Sequence, residues 1–380
     1  AAYYLAKKGH EVTLYERYPT CGGMLSYGIP AYRMPRDEVQ KEVDLIAETG
    51  VKIVTGQTIT DVKALKADYD AVLVAVGASD GKIIPVANNN PAQEATALDV
   101  LRDISMGIPT TPAIGPGVKV LVYGGGNVAY DVARSSVRLG AEVTVVCLEN
   151  REKGQMTADD EEIDQAAEEG VKLYSGYSNS GFTRDENGRV TGLNCFAISD
   201  FRFGPGGLEV DAIPGTEVFV PCDVVVYASG QKTNLDAGFG LELNRPGYPV
   251  DPETGKSGLK TSVEGVYTAG DVVTGTKSVI SAIAAGRDAA SAIDQVLGGD
   301  GDIEEKLVDV PAPDPYIGRI DDYAELPRQH ADITPCDERR CSFVKVDNNF
   351  TEEQAKAEAA RCLKCPLRLQ LHRTKLWTEY

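Results

Sequence analysis

The chain is short of histidine and of positive charge, and it contains no long apolar run. Its three histidines, His10, His330 and His372, are scattered, so no His-centred triad can be built from them. No apolar stretch approaches the ~20 residues that carry a helix across a bilayer. Lys and Arg total 38 against 57 Asp and Glu, a formal net charge of −19. So acidic a surface repels nucleic acid and anionic membranes, although a nucleotide recognised locally is not excluded. Cysteine is sparse over most of the chain, and half of the eight fall in the last 45 residues. That skew is unlike a secreted disulfide scaffold. It points to a local metal or redox site in a reducing compartment, with the cytoplasm as the expected location and no stretch reading as a secretory leader. The 380 residues, 42% hydrophobic and 25% charged, suffice for two or three domains with their own cores.

What is present is organised around Val118–Arg134, VKVLVYGGGNVAYDVAR. Val118–Tyr123 reads as a buried strand, Gly124, Gly125 and Gly126 as a turn, and Asn127–Leu139 as a helix closed by Gly140. Strand, glycine turn and helix in that order open a dinucleotide-binding unit. A pyrophosphate rests against backbone N–H groups at a helix N-terminus only where no side chain blocks it. Gly124 would make the tight turn, Gly126 the close approach, and Ala129 would replace a third glycine where helix meets strand. A lone glycine triplet can also be a plain structural turn; here the context on both sides favours binding.

An internal repeat supports the assignment. Gly9-His-Glu-Val-Thr-Leu-Tyr-Glu16 matches Gly140-Ala-Glu-Val-Thr-Val-Val-Cys147, each after a helix. Gly124 stands sixteen residues before Gly140. The same offset from Gly9 falls before Ala1, so the first copy's glycine loop is expected to lie outside this sequence. Glu16 ends the strand Glu11–Tyr15, where an acid can accept hydrogen bonds from ribose hydroxyls; a solvated strand-end glutamate is the plain alternative. Further on, the pattern predicts a helix over Arg36–Thr49, strands at Val51–Thr55 and Tyr69–Gly77, and an acidic helix over Arg151–Glu169. Asp185–Gly188 reads as a hairpin turn, and Ser278–Leu297 as a helix.

Taken in order, Glu16, CGGMLSYGIPAYRMP, YDAVLVAVGA, VLVYGGGNVAYDVAR, VVVYASGQKTN and GVYTAGDVVTG resemble the FAD- and pyridine-nucleotide-dependent flavoproteins typified by the glutamate synthase small subunit. The resemblance covers residues 1–298 or so. It implies an α/β fold with two Rossmann-like domains: an FAD domain (1–112 and 235–300) interrupted by an NAD(H)-binding domain (113–234), with a C-terminal linker and cysteine-containing tail (301–380). The FAD-side residues it implies are Glu16, Gly22, Gly23, Met24, Tyr27, Gly28, Ile29 and Arg33, then Ala75, Val76 and Gly77, then Gly270, Asp271, Ser278 and Val279. On the nicotinamide side they are Gly124, Gly125, Gly126, Asn127, Val128 and Asp131, with Glu149, Ser229 and Gly230. In the family the aspartate at Asp271 bonds the ribitol chain of FAD, and the helix after Ser278 points its N-terminus at the flavin, where it favours developing negative charge.

Related proteins carry two arginines for the NADP 2′-phosphate where this sequence has Leu148 and Glu149. An acid there repels that phosphate and suits a ribose diol, so NADH is expected over NADPH, with Arg151 nearby as the counter-argument. Cys147, Cys195 and Cys222 sit in or beside apolar strands and read as small buried hydrophobes. Cys21 has no partner cysteine within redox-motif distance, which counts against a disulfide reductase of the glutathione-reductase type.

The stretch LVDVPAPDPYIG reads as an extended linker. Beyond it, Cys336, Cys341, Cys362 and Cys365 are spaced C-x4-C-x20-C-x2-C around a helix at 351–361, N-capped by Thr351 with Glu353 behind it. Four such thiolates can hold a 4Fe–4S cluster or a structural zinc, and free or disulfide-forming thiols are a third option. The segment resembles the cluster-binding region of the same flavoproteins, which there lies N-terminally and carries more cysteines. Iron–sulfur leads, because a flavin releasing single electrons needs an acceptor nearby. The expectation is an FAD-containing oxidoreductase subunit passing electrons from NAD(P)H to an iron–sulfur or ferredoxin-like subunit of a larger complex, with no acid–base catalytic residue. The alternatives are a glutamate synthase small subunit proper and a non-catalytic assembly module.

Overall fold

One turn, used twice, sets the architecture. The helix Ala2–Lys7 closes through Gly9 at φ +91°, and the helix Asn127–Arg138 closes through Gly140 at φ +92°. Glycine takes this left-handed conformation without strain. In both copies the next amide reaches back across the turn, His10 N–H to the Leu5 carbonyl and Ala141 N–H to that of Ser136, each at 3.1 Å. Each turn then feeds a parallel strand, Thr13–Tyr15 beside Lys52–Val54 and Glu142–Cys147 beside Lys119–Tyr123. The sequence repeat is a repeat of structure.

The computed structural model describes residues 1–204, 206–305, 309, 321–322 and 325–362. The chain divides into two units, Ala1–Ile303 with Cys336–Val344, and Glu304–Pro335 with Lys345–Tyr380. The larger unit is mixed α/β around parallel sheets. Lys119–Tyr123 lies in the middle of five parallel strands, in the order Glu94–Thr96, Val224–Tyr227, Lys119–Tyr123, Glu142–Cys147, Lys172–Ser175. It is covered on both faces, as a near-continuous apolar run requires. Val120 and Val122 pack with Ala129, Val132 and Ala133 of the following helix. Leu121 and Tyr123 face the other way, onto Phe182, Leu193, Cys195 and Val220 of an antiparallel layer. That layer is formed by Tyr177–Arg184, Val190–Gly204, Gly207–Ala212 and Val218–Pro221.

Two sequence readings are corrected. The five-stranded sheet takes in Glu94–Thr96, so it begins before residue 113; three residues with a polar start give no apolar signal. The acidic helix runs over Asp160–Glu168 alone. Residues 150–155 instead form a tight turn, with Gly154 at φ +65° and the Gln155 amide on the Asn150 carbonyl.

The remaining strands of the larger unit pair as Val72–Val74 with Val266–Thr268, in parallel, flanked by the helix Val279–Val296. Two crossings join this part to the five-stranded sheet, and they are tied together. Asp80–Gly81 pairs antiparallel with Gln231–Lys232, the Lys82 amide donates to the Gly230 carbonyl at 3.0 Å, and the Ser229 hydroxyl to the Lys82 carbonyl at 2.8 Å. In the smaller unit the helix Glu352–Ala360 carries a capping box, formed by Thr351 with Gln354 rather than Glu353. The linker 307–318 lies outside the described residues, apart from Asp309.

A buried ionic cluster fastens four segments of the larger unit. Arg134 is fully buried and bonds Glu162 at 2.6 Å, Gln165 at 2.7 Å and Glu169 at 2.8 Å. Arg138 bonds Glu169 at 2.6 Å, and Arg33 bonds Asp131 at 2.8 Å and Glu162 at 2.9 Å. Arg339 adds a contact to Glu169 at 3.2 Å. Tyr32 lies buried beneath the guanidinium groups of Arg138 and Arg134, 3.9 and 4.9 Å from its ring centre. Burial raises the Glu169 carboxyl, but the bonds from Arg138 and Arg134 outweigh it and hold the group below the usual range. Removing one partner leaves a buried charge uncompensated, so Arg134→Ala is expected to lose about 3–5 kcal/mol in chemical denaturation.

Asp131 behaves differently. Burial lifts its carboxyl to about 6 against the pull of Arg33. A carboxyl raised on folding binds its proton more tightly folded than unfolded, so its ionisation costs stability as pH climbs from about 4 to about 6. Asp131→Asn should flatten the stability–pH profile in that window, measured as denaturation midpoints; an unaltered slope would rule Asp131 out as its source.

Candidate nucleotide-binding sites

The glycine loop is built so that its backbone stays bare. Gly124 sits at φ +139°, and a Cβ there would lie 2.5 Å from the Ala228 carbonyl oxygen, so no other residue fits. A Cβ on Gly125 would meet Cys147 at 3.0 Å and the Glu149 carboxylate at 3.1 Å. Gly126 is the N-cap of the helix Asn127–Arg138, and no side chain caps that helix. Its first N–H groups therefore face an open cavity of about 350 Å³, lined by the loop with Val128, Leu148, Glu149, Thr157, Tyr227, Ser229, Gly230 and Thr276. An uncapped helix N-terminus beside bare backbone is an anion site, with the dipole and the unpaired donors acting together.

Glu149 is placed by its backbone. Its carbonyl accepts the Gly176 amide at 2.9 Å and the Cys147 thiol at 3.4 Å, which leaves the carboxylate beside Gly125. Arg151, the nearest cation in sequence, bonds Asp164 at 2.6 Å, and Lys153 bonds the Ser199 carbonyl. Asn127 lines the cavity, and its amide is bracketed by Asp159, at 3.1 Å to the carboxylate and 2.9 Å from the amide. Asp131 is not in the cavity wall. It and Arg33 are bonded to each other at 2.8 Å inside the ionic cluster.

The residues expected on the FAD side lie at strand ends and turns. Glu16 follows Thr13–Tyr15, and its Oε1 accepts the Tyr18 amide at 2.8 Å. Arg17 reaches Ser79 at 3.0 Å, bringing this end beside Ala75, Val76 and Gly77. Val76 is exposed, and Gly77, at φ +70°, has open space where a side chain would stand. Gly270 at φ +82° leads into Asp271, whose Oδ1 accepts the Lys277 amide at 3.1 Å. Burial raises the Asp271 carboxyl, and the Lys277 bond opposes it. Ser278 caps its own helix through the Ser281 amide at 3.3 Å, and Val279 is exposed at its start.

Gly22 at φ +117° and Gly23 at φ +52° open the turn that leads into Met24–Tyr27. A Cβ on Gly22 would collide with Ser26 at 2.2 Å, whereas Gly23 faces open space. The Gly28 and Ile29 amides fold back onto the Met24 carbonyl at 3.0 and 2.8 Å. Tyr27 is buried and spends its hydroxyl on Thr20 at 2.6 Å, so it props this turn from within. Arg36 supports the same turn through the Leu25 and Ile29 carbonyls at 2.5 and 2.7 Å. Arg36 carried no motif in the sequence. Thr157, Phe203 and Thr276 of the other cavity were likewise missed; the Phe201-x-Phe203 alternation was the one available signal.

The cysteines divide into two kinds. Burial pushes the thiols of Cys147, Cys195 and Cys222 up to about 12, consistent with small hydrophobes in a core. Cys21 is half-buried, and burial and then Glu16 raise its thiol. Cys336 opens the short helix Cys336–Arg339 and donates to the Glu168 carbonyl at 3.1 Å. Cys341 and Cys362 are exposed, and Cys365 lies outside the described residues. Among the described residues no group of three or more His, Cys, Asp or Glu side chains could hold a metal ion. No described helix is long and apolar enough to cross a membrane.

A family model described as pyridine nucleotide-disulphide oxidoreductase matches residues 1–286. The chain is 36% identical over 382 residues to the NADP(+)-dependent formate dehydrogenase subunit beta of Moorella thermoacetica, covering 96% of this chain and 52% of that protein. It is 32% identical over 407 residues to the NADPH-Fe(3+) oxidoreductase subunit beta of Geobacter sulfurreducens, covering 96% and 59%. With the glutamate synthase (NADPH) small chain of Azospirillum brasilense it shares 34% over 312 residues, covering 77% and 63%. It thus spans between about half and two thirds of these relatives' length. Among solved structures, Mycobacterium tuberculosis FprA in complex with NADPH superposes with a TM-score of 0.56 at 18% identity, over 78% of this chain and 80% of that one. The thioredoxin reductase of T. acidophilum gives a TM-score of 0.52 at 18% identity, over 78% of this chain and 93% of that one. The sheet order, the glycine loop and the family match agree: the chain belongs to the pyridine nucleotide-disulphide oxidoreductase family.

Proposed function

We propose that the chain is the electron-input part of an FAD-dependent NAD(P)H oxidoreductase that works as one subunit of a larger redox assembly. The observation that carries this is the uncapped helix N-terminus at Gly124–Gly126, which opens on a cavity of about 350 Å³. The reading that FAD is held at the strand ends carrying Glu16, Gly77 and Asp271 is supported by the family match. FAD, when bound, supplies the hydride acceptor. The chain's own part is to bind and orient: bare glycine backbone for pyrophosphate, Glu16 and Glu149 for ribose hydroxyls, Asp271 for the ribitol chain. Hydride transfer asks for alignment rather than acid–base groups, and the His10 ring is engaged with Asp294 at 2.7 Å. The beta-subunit names of the Moorella and Geobacter relatives support a role beside partner subunits. A glutamate synthase small-chain role is the second reading, supported by the Azospirillum relative. Flavin released on denaturation, and bleaching of flavin absorption by reduced nucleotide, test the activity; a colourless protein would favour an assembly module.

NADH is the nucleotide we favour. Leu148 and Glu149 offer no cation, and Arg151 and Lys153 are held by Asp164 and Ser199. The relatives' printed names pull toward NADPH. A charge-assisted bond is worth about 1.5–3 kcal/mol, so Leu148→Arg with Glu149→Arg should shift the kcat/KM ratio about 10- to 100-fold toward NADPH. A clear NADPH preference in the unaltered protein would overturn the choice.

The tail assignment rests on spacing. We infer that Cys336, Cys341, Cys362 and Cys365 hold a 4Fe–4S cluster, with zinc as the alternative and a ferredoxin-like or iron–sulfur subunit as the acceptor. Iron and sulfide analysis of anaerobically handled protein decides it, and zinc alone would refute the cluster.

A further inference from the structure

A two-stranded ribbon projects from the antiparallel layer, formed by the end of Val190–Gly204 and by Gly207–Ala212. The register breaks between Ile198 and Asp200, and a strand bends where such a bulge intervenes. Residues paired across the ribbon share a face. Arg202 with Glu209 and Asp200 with Asp211 make one charged face; Phe201 with Val210 and Phe203 with Leu208 make the opposite, apolar face. The charged face is satisfied, with Arg202 2.8 Å from Glu209 and 3.4 Å from Asp211. The apolar face is not: Phe203 is 76% exposed and Leu208 43%. Two strands alone are marginal in water without something against their apolar side. Phe203 nevertheless lines the same cavity as Gly124–Gly126, Glu149 and Thr276.

We propose that this ribbon is a flap over the nucleotide, and that Phe203 closes on an aromatic ring of the bound nicotinamide nucleotide. The proposal rests on the reading of that cavity as the nicotinamide-nucleotide site. The glycine loop takes the pyrophosphate and Glu149 a ribose, both polar contacts from the cavity wall. What such a ligand still presents is the flat face of a base, and a phenyl ring is the group that fits it. The ribbon's stem is tied to the same wall. Ile198 donates to the Gly176 carbonyl at 2.8 Å, and Gly176 donates to the Glu149 carbonyl at 2.9 Å. One residue, Gly176, therefore links the base of the flap to the backbone of Glu149.

The test is calorimetric titration of the flavin-loaded protein with NADH, and with NADPH in parallel. Phe203→Ala should weaken binding about tenfold, as loss of an aromatic stack on a base does, with melting temperature and flavin content unchanged; Phe203→Tyr should restore it. A second readout needs no turnover. With Trp377→Phe removing the one native tryptophan, the Phe203→Trp variant should become shielded from acrylamide quenching when nucleotide is added. Equal affinities in Phe203→Ala and the unaltered protein, with equal quenching, would overturn the flap while leaving the nucleotide site intact; that is the result expected if a partner protein covers the ribbon instead. Failure of the unaltered protein to bind either nucleotide would overturn both readings together.

Discussion

Much of the structure depends on the pairing of Arg134 with Glu162 and Glu169. Two of these three side chains have no exposure at all, and the third has very little. Charges so placed are tolerable when every donor has a matching acceptor, and guanidinium, with its planar fork of donors, can meet two carboxylates and an amide at once. An ammonium, with three donors on one nitrogen, could not make the four bonds that Arg134 makes, two of them to the two oxygens of Glu169. The demand for pairing draws in neighbours: Arg138 shares Glu169, Arg33 shares Glu162, and Arg339 arrives from far along the sequence. The glycine-loop helix, the helix after it, the Tyr32–Arg33 turn and the Cys336–Val344 segment are thereby tied to one another. Tyr32 fills the gap under the two arginines, where a ring face favours cations and a smaller side chain would leave a void.

That rigidity serves a site made mostly of absent side chains. At Gly124 the left-handed backbone and the Ala228 carbonyl exclude any Cβ; at Gly125 the excluded volume belongs to Glu149 and Cys147. Bare backbone cannot adapt by rotamer, so its aim has to be set by the elements behind it. Arg134 and Arg138 lie on the same helix whose N-terminus borders the cavity. Position is supplied at one end of that helix and chemistry at the other.

The parts legible in the sequence were those encoded locally. The glycine loop, the repeated cap at Gly9 and Gly140, and the strand Lys119–Tyr123 each depend on neighbours within a dozen residues. What the sequence does not show is a partner that is distant. Arg33 and Asp131 each lie inside a motif, and nothing local announces that they pair with each other across almost a hundred positions; nor does the sequence show that the Tyr27 hydroxyl bonds Thr20. Glu94–Thr96 is too short and polar to announce a strand, and its pairing with Val224–Tyr227 supplies the reason it is one. Phe203 belongs to a hairpin whose meaning comes from the cavity it borders, which no linear pattern records.

The connection between the halves follows from the same contact that fixes the loop. Ala228, whose carbonyl crowds Gly124, is followed directly by Ser229 and Gly230, and these bond Lys82 on the outgoing crossing. The return strand therefore cannot shift at the glycine loop without pulling on both crossings. Thr276, which follows the return crossing in the chain, lines the cavity and bonds Gln231 at 3.1 Å. The glycine loop and the joint between the two parts of the larger unit are thus in direct contact through Ala228. Hydride transfer depends on alignment, and a loop packed against the return crossing has its position set by the elements that such alignment would require.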